Sequence, residues 1–104
     1  MALPDTPAAY TDCYDHFERA QQSEKGIRIF VEDFKSASYL RSRLNQARAI
    51  ERRQSRRVYP PDDPKYNRSE NDKFRVTMLP SAEGDGYWVY IELWNQVVGD
   101  VEEL

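Results

Sequence analysis

The sequence predicts a small α+β domain, and three observations carry that prediction. Apolar residues recur at spacings of three and four in two segments. They alternate with polar residues in three others. The five segments run helix, strand, helix, strand, strand, for which an antiparallel sheet of about three strands with both helices packed on one face is the simplest arrangement. A chain of 104 residues supports one hydrophobic core, so residues 1–104 read as a single domain.

The first helix is predicted over residues 7–23. Thr6 stands as N-cap with Pro7 at the first helical position, and Tyr10, Cys13, Tyr14, Phe17 and Ala20 form one apolar stripe. Gly26 punctuates the chain, and "GIRIFVE" alternates Ile27, Ile29 and Val31 against Arg28, Phe30 and Glu32, predicting a strand over 26–32. A second helix is predicted over 34–57, free of Gly and Pro, with Ala37, Leu40, Leu44 and Ala47 as a stripe continuing through Glu51 or Ile50 toward Val58. Residues 59–72 hold three prolines within five positions and read as a loop. Residues 73–79 and 87–93 flank Gly84, Asp85 and Gly86 and read as a hairpin. Residues 95–104 form an acidic tail that adds at most a helical turn.

Composition excludes several functions. Cys13 is the only cysteine, so no internal disulfide and no cysteine-based zinc cluster exists in this sequence. His16, the only histidine, has Asp12 four residues away but no third ligand in its pattern, and it reads as a partly exposed helical residue. Four scattered glycines form no phosphate-cradling loop, and the Asp62–Asp63 pair lies in a proline-rich loop unsuited to a preorganised acid and base. The expectation is a binding protein and not an enzyme, with no metal and no cofactor. No apolar run spans a membrane and the first ten residues lack the pattern of a secretory signal, so a cytoplasmic protein is expected.

The strongest chemical signal is the second helix. Residues 40–59 carry seven arginines against one acid, Glu51, in a chain of net charge −3. With Leu44 at zero and a helical advance of about 100° per residue, Arg41, Arg48, Arg52 and Arg56 fall between about +40° and +120°, forming a ridge beside the apolar stripe. Arg53 and Arg57 cover the far side. Guanidinium forks at helical spacing suit phosphate oxygens, Asn45 can reach base edges, and Tyr59, Tyr66 and Arg68 follow in the loop. This set predicts binding of DNA or RNA.

A second reading stands beside it. Residues 83–104 hold Glu83, Asp85, Glu92, Asp100, Glu102 and Glu103 with no basic residue. That segment either neutralises the arginines within the molecule or, with Trp88 and Tyr90 on the sheet face opposite the core, forms a surface for a protein partner. The partner is then a host protein or a second copy of the chain, and the carboxylates imitate a phosphate backbone.

The run "YLRSRLNQARAIERRQSRRVYPPDDPKYNRSENDKFRV", preceded by "GIRIFVE", resembles small accessory proteins of tailed bacteriophages over residues 26 to 79. The resemblance implies either a DNA- or RNA-associated factor or an inhibitor of a host enzyme or defence complex, acting in the host cytoplasm. It brings no active-site residues with it.

Overall fold

The computed structural model describes residues 6–94. Its elements are α1 (Thr11–Gln22), β1 (Ile27–Val31), α2 (Phe34–Val58), β2 (Phe74–Pro80) and β3 (Tyr87–Leu93), with 3-10 turns at Pro7–Tyr10 and Glu70–Lys73. This is the predicted order, and the fold is an α+β domain of two helices on a three-stranded antiparallel sheet. The expected acidic tail, residues 95–104, lies outside the described residues.

The sheet order is β1-β3-β2. Both outer strands run antiparallel to β3. They are therefore parallel to each other, and α2 is the crossover between them. Two strands that run the same way need a crossover of about a dozen residues or more, and α2 with its loop supplies it between β1 and β2.

The period-two pattern sorts the sheet into two faces. Val89, Ile91 and Phe74 are buried against the helices, joined by the half-buried Ile27, Ile29, Val31, Val76 and Met78. From the other side Tyr10, Cys13, Phe17 and Ala20 of the first helical segment meet Ala37, Leu44, Ala47 and Ile50 of α2. Phe17 and Phe74 stack with ring centroids 6.0 Å apart, tying α1 to the start of β2. Truncating either ring costs about 3–5 kcal/mol.

Local chemistry sets the boundaries. The Asp33 carboxylate accepts from the Ser36 amide at 2.7 Å and caps α2, and the hydrogen bonds from Ser36 hold its pKa below the usual range. The first helix departs from expectation: it opens as a 3-10 turn, and the Thr6 side chain makes no capping bond. Pro7 occupies the first turn as predicted, where its missing N–H leaves nothing unpaired. Val58, expected to extend the apolar stripe, is 70% exposed, because α2 outruns the sheet by several residues. Gly86 adopts φ +83°, and a Cβ there would lie 2.3 Å from the Phe30 ring, which folds over the hairpin turn.

The helices run parallel to each other. Arg43 of α2 bonds Asp12 near the start of α1 at 2.5 Å, and Tyr14 donates to the Ala47 carbonyl at 3.2 Å. Both helices therefore end at the pole where β1 and β2 begin. The opposite pole holds the hairpin turn and the start of α2.

Candidate nucleic-acid interface

Three arginines of α2 are bound within the molecule. Arg43 donates to the Ala9 carbonyl at 2.9 Å and to Asp12. Arg48 donates to the Phe74 carbonyl at 2.6 Å, to the Asn71 carbonyl at 3.4 Å and to the Asn45 side chain. Burial, and then the neighbouring Arg52 charge, hold the Arg48 pKa below its ordinary value. Arg52 forms a two-pronged pair with Asp72, its Nε at 2.9 Å and its terminal nitrogen at 2.5 Å from the same oxygen. The predicted ridge of Arg41, Arg48, Arg52 and Arg56 is therefore not one continuous surface. Its two central members lie on the flank of α2 where residues 68–74 return alongside the helix.

The return segment is held by a polar network. Ser69 and Asp72 form a capping box around the 3-10 turn, so the turn's amides are satisfied locally. Glu51 accepts from the Ser69 hydroxyl and from the Asn71 amide nitrogen, each at 2.8 Å. The buried Asn71 also accepts from Gln21 at 2.9 Å, joining α1, α2 and the turn at one residue. Higher on the helix, the Ser55 hydroxyl donates to the Arg52 carbonyl at 2.7 Å and accepts from the Arg68 amide at 3.0 Å. Glu51, the one acid in the arginine run, thus serves as an anchor for the loop.

The remaining cations face outward. Arg41, Arg56, Arg57 and Arg68 are exposed, and among the described residues none has a carboxylate within ion-pair distance. Arg53 is half-buried and engaged elsewhere. Tyr59 and Tyr66 are half-buried in the loop, with the Lys65 ammonium 5.5 Å from the centre of the Tyr59 ring. Lys65 belongs with this group although helical periodicity, which stops at residue 58, gives no sign of it. All 15 basic residues of the chain fall within 6–94, against 14 of its 18 acids, so the described domain is itself slightly basic. Placing cations beyond the C-terminus of α2 also complements its dipole.

The second expected surface is the sheet face turned away from the helices. Register aligns Phe30, Trp88 and Leu79 in one row across the three strands, and Arg28, Tyr90 and Thr77 in the next. Phe30 and Leu79 are 49% and 55% exposed, and Trp88 and Tyr90 are half-buried. Phe30 meets Trp88 edge to face at 5.3 Å, and the Arg28 guanidinium lies 3.9 Å over the Trp88 ring. Glu83 and Asp85 are exposed at the hairpin turn, while Glu92 sits at the other end of β3. Asp100, Glu102 and Glu103 lie outside the described residues.

The buried thiol and phenol near the core are both held toward their protonated forms. Burial, and then the Asp12 charge, push the Cys13 thiol up to about 11, so almost no thiolate exists at neutral pH. Burial, then the Glu51 charge, likewise push the Tyr14 phenol up to about 12. Among the described residues no three His, Cys, Asp or Glu side chains gather where they could hold a metal ion. No described helix is long and apolar enough to cross a membrane. No protein-family model matches the chain, and neither the curated proteins nor the solved structures give a match.

Proposed function

We propose that the protein is a non-enzymatic nucleic-acid-binding domain that holds phosphates with the outer cations at the end of α2. Arg56, Arg57, Lys65 and Arg68 supply the charge, and Arg41 extends the surface about 22 Å back along the helix. The observation that carries the reading is the division of labour among the arginines. Those that the fold needs are already bonded, and the exposed remainder has no described counter-ion. Arg48, Arg52 and Asn45 then act as positioning residues, holding the loop that presents Lys65, Tyr66 and Arg68. Neutralising about four phosphates gives a log–log salt slope of roughly −3 to −4. Fluorescence anisotropy of labelled single- and double-stranded oligonucleotides tests this. Binding that weakens with salt and is lost in Arg56→Glu/Arg57→Glu supports it, and no binding near 50 mM salt overturns it.

A second reading has its own observation. The pole holding the hairpin turn joins exposed Phe30, Leu79 and Phe34 to the carboxylates of Glu32, Glu83 and Asp85. An apolar patch rimmed by acids suits a basic protein partner, as an inhibitor or adaptor of the phage type would have. Charge reversal at Glu83 and Asp85 abolishes partner binding under that reading and leaves oligonucleotide binding intact.

A further inference from the structure

The outer sheet face is polarised: apolar and acidic toward the hairpin turn, aromatic and basic toward the pole where α2 ends. At that second end lies a hollow of about 190 Å³ lined by Lys25, Gly26, Ile27, Arg28, Tyr90 and Glu92. Gly26 contributes only backbone to its lining. A side chain there is excluded, since Gly26 sits at φ +91° with its Cβ direction 2.3 Å from the Ile91 carbonyl oxygen. The hollow opens broadly to solvent, so a flat ring can be laid in it.

Its walls have a particular chemistry. Tyr90 offers an aromatic platform, Lys25 and Arg28 bring donors, and Glu92 brings the acceptors of its carboxylate. Glu92 is paired in register with Arg75 yet makes no ion pair with it, because the Arg75 guanidinium lies over the Trp94 ring instead, 5.7 Å from its centre. The Glu92 carboxylate therefore remains available as an acceptor beside a stacking surface. Resting on the phosphate-binding reading above, we infer that this hollow takes one unpaired base of a single-stranded nucleic acid, stacked on Tyr90, with Glu92 accepting from an exocyclic amino group. Cytosine, adenine and guanine present such a group, whereas uracil and thymine offer only a ring N3–H flanked by two carbonyl oxygens that the carboxylate repels. Lys25 and Arg28 serve the base's ring acceptors and the adjoining phosphate. The hollow and the outer cations of α2 lie toward the same pole, the hollow on the outer face of the sheet and α2 on the inner.

The test uses the full chain and short labelled homo-oligomers of cytosine, adenine and uracil or thymine, in ribose and deoxyribose forms, with a duplex control. Cytosine or adenine strands are expected to bind at least about 5-fold tighter than uracil or thymine strands. Tyr90→Ala is expected to weaken single-strand binding by about 5- to 100-fold while Tyr90→Phe, which keeps the ring, retains it. Glu92→Ala is expected to remove the base preference. Thermal melts confirm that these variants fold. The inference is overturned if wild-type protein binds all homo-oligomers alike, or if Tyr90→Ala and Glu92→Ala change nothing while Arg56→Glu/Arg57→Glu abolishes binding. In that last case the phosphate reading stands alone. If neither single strands nor duplex bind, both ideas fall together.

Discussion

Arg48 and Arg56 lie two turns apart on the same helix, yet they do opposite things. Arg48 is wedged against the return of the chain, bonded to the carbonyls of Phe74 and Asn71. Arg56 points outward with no described counter-ion. The difference comes from what docks on each flank, not from the residue type. A guanidinium reaching two main-chain carbonyls stabilises a loop that has little apolar area of its own, while the same group past the edge of the sheet is left as surface charge.

The comparison predicts graded effects. Arg48→Ala removes the guanidinium donor from the Phe74 carbonyl and a second donor from the Asn71 carbonyl, which keeps the Phe74 amide, and is expected to cost about 2–3 kcal/mol, read as a fall in the urea or thermal midpoint. Asn71→Ala removes bonds to Glu51 and Gln21 and is expected to cost about 2 kcal/mol. Arg52→Ala is milder, about 0.5–1 kcal/mol, because both Arg52 and Asp72 are roughly a third exposed and solvent screens the pair. Arg56→Ala and Arg57→Ala are expected to stay within about 0.5 kcal/mol of wild type while weakening oligonucleotide binding. A stability loss at Arg56 as large as at Arg48 would erase the distinction.

Acid titration sharpens the same contrast. Burial raises the Asp72 pKa, but hydrogen bonds from Arg52 and the Ser69 amide, with the charges of Arg52 and Arg48, outweigh it and leave the pKa below its ordinary value. A carboxyl depressed in the folded state contributes stability that is fully present above its unfolded value of about 3.9 and is lost as pH falls through the lower folded value. Wild-type stability is therefore expected to drop below about pH 4, and Asp72→Asn to flatten that part of the curve. An unchanged curve would mean the Arg52–Asp72 pair does not anchor the loop.

Much of this was legible in the sequence. The stripe Ala37, Leu44, Ala47, with Ile50 as one of its two expected continuations, placed α2 to within a residue at either end, since a long uninterrupted pattern has few competing solutions. Alternation put Trp88, Tyr90 and Phe30 on one face and the core on the other. The fate of the arginines was not legible, because a helical wheel gives angles and says nothing of which loop returns against them. One signal was available: "SEND" at 69–72 has the spacing of a capping box, which implies an ordered turn inside the proline-rich segment and hence a surface for it to dock on. The partnership of Lys65 with Tyr59 depends on the turns closed by the Asp63 amide on the Pro60 carbonyl and the Tyr66 amide on the Asp63 carbonyl, and on no periodicity at all.

The most direct test of the account is the salt dependence of oligonucleotide affinity, compared between wild type and Arg56→Ala/Arg57→Ala across about 50 to 200 mM salt. If both arginines contact phosphate, the double variant keeps the wild-type melting temperature and its log–log slope shrinks in magnitude by about 1.4 to 1.8, the contribution of two phosphate contacts. A slope identical to wild type would contradict the account, showing that the exposed arginines at the end of α2 do not touch phosphate.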